Sequence, residues 1–497
     1  MAATAFPAAT QAALETFRAG GNAIDAAAAA AWAMAVCDAS GSGLGGQTIV
    51  LIRTASGALL VVDGHSRAPA AVSQKLVRRR HQRRGHRACT VPTTPAALGY
   101  IQKSHGRLPA AQVFAPAIRL ATEGYAITRL QAHQLKMCLA HLRDSPAMAR
   151  LFLRDGRRPY RAGQTFRQPA LAATLRRLST EGIEDFYRGA IARAIVEDMR
   201  RNGGLIIEED LASAAVPAVR EPCRSEYRGY RVVSPAPPAG GLQILFGLSM
   251  LQQVAAPDLT AGADRWYEIM AEITRIIFRE RDRWAVHPRD LTPSFLRWFL
   301  SEERAREHVE ALIKPAPAAH TKAANAELGF LYNNYLYTCP RHEHPYQLES
   351  RCLPQSNAAP TLVLDREGKP GRGSSREPRP VLVLGAAGSR RIASSILQVI
   401  SSVLDRGLAL NDAVDQPRVH ALARGKVFVE DRALTDSLRG RLARRFDSVS
   451  TKSYPSWYMG SLQAIAFAPD GTMTGAADPR RDGAAEGLAS SLEGKAR

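Results

Sequence analysis

Gly20-Gly21-Asn22-Ala23-Ile24-Asp25-Ala26-Ala27-Ala28-Ala29-Ala30-Ala31-Trp32-Ala33-Met34-Ala35-Val36 is the stretch on which the fold turns. After Asp25 it carries almost no polar side chain, so it predicts a helix buried on most sides. Asn22 stands where an N-cap belongs, and Asp25 suits the positive end of the helix dipole. The glycine pair separates this helix from an earlier one over residues 7–18. Next comes Ser40-Gly41-Ser42-Gly43-Leu44-Gly45-Gly46, a glycine loop without the lysine of a P-loop and therefore weak evidence for a phosphate site. The apolar runs 48–53 and 58–63, joined by Ala55-Ser56-Gly57, predict a β-hairpin. Short strands beside long apolar helices fit a layered chain of mixed α/β class.

Outward from there the signals are local. Gly203-Gly204 reads as a helix stop, and Pro237-Pro238-Ala239-Gly240-Gly241 as a turn leading into a helix. Residues 279–283 read as a charged helix face, 335–337 as a strand-like run with alternating tyrosines, and 393–404 as a helix. Gly388 ends the strand before that last helix. A helical, charge-rich stretch over 293–313 runs into the Pro/Ala linker Lys314-Pro315-Ala316-Pro317-Ala318-Ala319.

With 497 residues, 45% hydrophobic and 23% charged, the chain has the balance of a globular protein with a sizeable core. Its formal charge of +20 and pI of 10.1 are unusual. One run concentrates the excess: Arg78-Arg79-Arg80-His81-Gln82-Arg83-Arg84-Gly85-His86-Arg87. It has no interleaved aromatics on which bases stack, so it reads as a solvated loop rather than a nucleic-acid surface. The six cysteines show no CxxC pair and no metal-ligand spacing, and neither a metal nor another cofactor is expected. No stretch reaches the ~18 apolar residues of a membrane span. Residues 1–15 show no basic region followed by an apolar core, so the chain as written reads as cytoplasmic, and as periplasmic or secreted if its start is incomplete.

Taken in order, many segments resemble the γ-glutamyltransferase (glutathione hydrolase) family. They are GGNAIDAAAAAAWAMAV, GSGLGGQ, Asp63-Gly64-His65-Ser66-Arg67-Ala68-Pro69, VPTTPAALG, APAIRLATEGYAIT, QPALAATLRRL, GGLIIEEDL and PAPPAGGLQIL, then GFLYNN, Pro354-Gln355-Ser356-Asn357-Ala358-Ala359-Pro360-Thr361, PVLVLGAAGSRRI, NDAVDQPRVH and AADPRRDGAA. The similarity runs from about residue 5 to about 486, with one deletion in its middle. It implies the four-layer αββα sandwich of the N-terminal-nucleophile hydrolases, with a large-subunit-like region, 1–317, and a small-subunit-like region truncated at its start, 318–497, of one chain packed together. It also implies a small-molecule substrate, a γ-glutamyl or related acyl amide, cleaved or transferred without a metal.

In that family, self-cleavage frees a threonine whose own α-amine activates its hydroxyl. The threonine heads a Thr-Thr-His-x-Ser-Val-Val-Asp run placed before the counterpart of GFLYNN. Here Ala318-Ala319-His320-Thr321-Lys322 stands instead, so either Thr321 is a displaced nucleophile or the nucleophile is gone. The resemblance assigns the oxyanion donors to Gly388 and Ser389, and the substrate α-carboxylate to Ser356 and Asn357. It puts His65 at the family's anchoring arginine, with Arg67 two residues on. It sets Tyr337, just after Asn334, where the family has an acid for the α-ammonium. Two readings follow: a self-processing amidohydrolase, or a family member without catalysis that binds acidic amino acids or peptides in the remnant cleft. An internally deleted gene product would give the same sequence, and the missing run favours impairment.

Overall fold

The computed structural model describes residues 1–313, 333–365 and 377–488. The cap expected at Asn22 is present. Its side chain accepts from the backbone N–H of Ile24 and Asp25, while the Asp25 carboxylate accepts from the N–H of Asn22. Three backbone donors at the start of the helix Ala23–Cys37 are satisfied by this reciprocal pair. The alanines then let neighbouring helices approach closely, and Trp32 stacks on Phe114 with ring centroids 4.5 Å apart.

The expected hairpin forms from Thr48–Arg53 and Leu59–Gly64, and Ala218–Arg220 extends it to a short antiparallel sheet of three strands. A longer antiparallel sheet runs Met473–Ala477, Ser461–Phe467, Pro380–Ala387, Thr361–Leu364, Tyr230–Ser234, Cys223–Tyr227. Tyr230–Ser234 pairs directly with Thr361–Leu364, so the two halves of the chain share this sheet.

Successive side chains on a strand point to opposite faces, and that period sorts the core into layers. Val232, Val363, Leu382, Leu384 and Leu462 face the helices Gly241–Gln253, Ala263–Arg283 and Arg391–Leu404. Their neighbours Val233, Leu362, Leu364 and Val383 face the other way and meet Leu51 and Leu59 of the hairpin. The hairpin's opposite face, Val50, Ile52 and Val62, packs under the N-terminal helices. Helix, sheet, sheet, helix is the result, as the resemblance implied.

Three local expectations need amendment. Tyr335–Thr338 is a single 3-10 turn and not a strand. The helix expected over 393–404 begins at Arg391. The face 279–283 is not uniformly solvated, because Arg281 turns inward, as described below. The arginine run is a loop with Arg78, Arg79, Arg80, Arg83 and Arg84 exposed. It is pinned by buried Gln82, whose amide donates to the carbonyls of Leu336 at 2.8 Å and Cys339 at 3.1 Å.

Candidate functional site

The glycine loop ends in Gln47, where the short sheet begins, and this side chain joins segments far apart in sequence. Its carbonyl accepts from both the N–H and the hydroxyl of Ser66, each at 3.1 Å, and its amide donates to Ser356 Oγ at 3.2 Å. Asn333 fixes the loop itself by donating to the Gly45 carbonyl at 2.8 Å and the Thr90 carbonyl at 3.0 Å. With its Oδ1 also accepting from Thr90, buried Asn333 is fully used as a strut.

Beside Ser66, Asp63 Oδ1 lies 2.5 Å from His65 Nδ1, and Asp63 Oδ2 forms an ion pair with Arg220 at 2.7 Å. Burial alone would raise the Asp63 carboxyl. The His65 ring and the Arg220 guanidinium outweigh it and hold the group down to about 2. The bond to Asp63 fixes the ring's orientation, and it leaves Nε2, buried and without a hydrogen-bond partner among the described residues, as the ring atom still to be used.

Ser356 and Asn357 sit between Gln47 and Arg281. The guanidinium of Arg281 donates to the Ser356 carbonyl at 2.9 Å and to Asn357 Oδ1. Both acceptors are neutral, so its charge is not cancelled by the bonds it makes. Burial, and then the nearby Arg390, draw this arginine down to about 10. The consequence for the two polar side chains follows from counting lone pairs. Ser356 Oγ already accepts from the Ala358 N–H at 3.1 Å and from Gln47, so its proton is what it has left to give. The Asn357 oxygen is taken by Arg281, which leaves its amide N–H groups. The pair therefore offers donors, backed by a cation, which suits a carboxylate or another anionic oxygen.

At the end of Pro380–Ala387 the chain turns through Gly388 at φ 128° and Ser389 at φ 56° before Arg390 at φ −57°. Left-handed Ser389 followed by right-handed Arg390 is the backbone shape of an anion-binding concavity, and here it heads the helix Arg391–Leu404. A Cβ at Gly388 would lie 2.6 Å from the Gly460 Cα, so the close approach of two backbones demands glycine there. Buried Arg418 holds that second backbone by donating to the Gly460 carbonyl at 3.3 Å.

Of the residues singled out from the sequence, His65, Ser356 and Asn357 are linked through Gln47 and Ser66, while the Gly388–Ser389 turn is related to them only through its neighbour Arg390, whose charge acts on Arg281. Arg67 is exposed, and its carbonyl accepts from the Val91 N–H at 2.9 Å. Asn334 and Tyr337 do not join the group: Asn334 donates to the Arg83 carbonyl at 3.3 Å, and exposed Tyr337 has the Arg83 guanidinium 5.4 Å from its ring. Thr321 and His320 lie outside the described residues. Gln47, Asp63, Arg220 and Arg281 went unrecognised in the sequence. For Arg281 a signal existed, since it falls three and four residues after buried Phe278 and Ile277 on one helix face.

Two face-to-face antiparallel sheets between helices define a scaffold of the N-terminal-nucleophile hydrolase type. The family profile described as Gamma-glutamyltranspeptidase matches residues 9–328 and again 320–488, and the chain belongs to that family. It is 29% identical over 538 aligned positions to the Acylase ACY 1 proenzyme of Pseudomonas sp. (strain V22), covering 97% of this chain and 92% of that protein. It is likewise 29% identical to the glutathione hydrolase proenzyme of Escherichia coli (strain K12), covering 97% and 90%. Among solved structures it resembles the cephalosporin acylase of Bacillus halodurans, with a TM-score of 0.84, 26% identity and coverage of 98% and 96%.

Proposed function

We propose that this chain binds a small acyl amide or amino acid carrying a carboxylate, and that its ability to cleave the amide is impaired. The observation behind the binding half is the donor pair Ser356–Asn357, with Arg281 behind it. The impairment half rests on sequence: alanines and Lys322 surround His320-Thr321 where the family carries Thr-Thr-His, and the family match breaks into two pieces meeting at 320–328. A threonine inside an uncut chain has no free amine to activate its hydroxyl. An oxyanion turn and a carboxylate anchor without that amine hold a substrate but do not attack it.

The relatives named above are proenzymes, which keeps an active reading in view, with Thr321 as the residue freed by self-cleavage. Three measurements on the purified chain separate the two. A denaturing gel reports cleavage, release from a γ-glutamyl anilide reports turnover, and calorimetry with L-glutamate reports binding. The expected pattern is one band at 53.9 kDa, no release, and saturable binding. Two fragments, the C-terminal one beginning at Thr321, with release of the anilide, overturn the impairment; absence of any binding overturns the rest.

A further inference from the structure

Residues 339–360 contain no helix or strand, yet this segment carries Ser356 and Asn357. It is held by scattered contacts. Arg341 donates to the Val77 and Gln74 carbonyls, the Tyr346 hydroxyl to the Val286 carbonyl at 2.5 Å, and the Ala68 N–H to the Cys352 carbonyl at 2.9 Å. Beneath it lies a small apolar cluster of Ala68, Val72, Val77, Leu336, Leu348 and two cysteines. A loop held this way opens locally more easily than the sheets beside it.

The two cysteines are Cys339 and Cys352. They are 13 positions apart, Cys339 at the start of the segment and Cys352 within it shortly before Ser356, and their sulfur atoms lie 3.6 Å apart, in van der Waals contact. Both are buried, at 3% and 8% exposure, and both are free thiols here. Scattered cysteines brought into contact across the neck of an otherwise irregular loop are placed for a cross-link.

We propose that Cys339 and Cys352 form a reversible disulfide that closes the 339–352 loop and fixes the approach to Ser356. The oxidant is a low-molecular-weight disulfide, RSSR. Cys352, the less buried thiol, attacks as its thiolate, forms a mixed disulfide and releases one RS⁻. Cys339 then attacks the Cys352 sulfur and displaces the second RS⁻, and the two cysteine protons end on the two released thiols. Two protein thiols lose two electrons, and one RSSR becomes two RSH.

The test uses the full chain, incubated under native conditions with hydroxyethyl disulfide, then denatured, alkylated and mapped as peptides without reduction. The expected result is a Cys339–Cys352 linked peptide, with proteolysis inside the loop roughly tenfold slower than in the same protein kept reduced. In Cys352→Ser the link is absent, Cys339 is recovered alkylated, and oxidant no longer slows loop proteolysis. Comparison of oxidised and reduced wild-type protein stands by itself if that variant does not fold. Recovery of both wild-type cysteines alkylated, or each carrying its own hydroxyethyl adduct, overturns the proposal.

Discussion

Replacing Asp63 by Asn tests whether the charges at the end of the hairpin are coupled as described. The carboxyl is lowered from 3.8 to about 2, a difference of nearly two pH units. At 1.36 kcal/mol per unit this is worth roughly 2 to 3 kcal/mol. Because the folded value lies below the unfolded one, the contribution is fully present above about pH 4 and is lost as the pH falls toward 2. Asn keeps the shape and a hydrogen bond but not the charge, and it leaves Arg220 without its counter-ion and the His65 ring without its carboxylate partner. For 497 residues the unfolding entropy is about 1 kcal/mol/K, so the expected loss in Tm at pH 7 is about 2 to 3 °C. Scanning calorimetry or a thermal circular-dichroism series on both proteins, from pH 7 downward, reads it directly. The gap should narrow as the pH drops from about 4 to about 2. An Asp63→Asn protein as stable as wild type at pH 7, or a gap unchanged across that range, refutes the coupling.

Ser356→Ala removes one of the two donors and should weaken L-glutamate binding by roughly tenfold in calorimetry, and because it leaves the Gln47 amide and the Ala358 N–H without their acceptor it should also cost roughly 1 to 3 kcal/mol of stability. Gln47→Leu cuts the link between Ser66 and Ser356 and leaves their partners unsatisfied, so a loss of roughly 1 to 3 kcal/mol of stability should accompany weaker binding. Gly388→Ala forces its Cβ onto the Gly460 backbone and should cost about 1 to 3 kcal/mol, read as a lower midpoint in urea. Ser389→Gly relieves a left-handed residue that is not glycine and should instead raise that midpoint, by a gain of about 1 kcal/mol.

Much of the fold was legible along the chain because the signals involved act over a few residues. The cap at Asn22 and Asp25, the break at Gly20-Gly21 and the hairpin over 48–63 are set by neighbours in sequence, and each appears as expected. The order of the segments carried the family, and with it the layered sandwich. Local pattern failed at Tyr335–Thr338, where alternation suggested a strand and a 3-10 turn formed. It failed again at Arg281, where a charged helix face hid one inward residue.

What only the tertiary structure decided is which side chains meet. Gln47 finds Ser66 and Ser356, Asp63 finds Arg220, and Cys339 finds Cys352, although no periodicity marks any of them. Such contacts depend on how sheets and loops stack after each has formed, and a hydrogen bond spanning 309 positions leaves no trace in local spacing. That Ser356 and Asn357 have their acceptor sites occupied, and so only donors left to give, was likewise decided by the packing. Residue type allows each to donate or accept, and the neighbours that use up the acceptor sites are fixed by the packed structure.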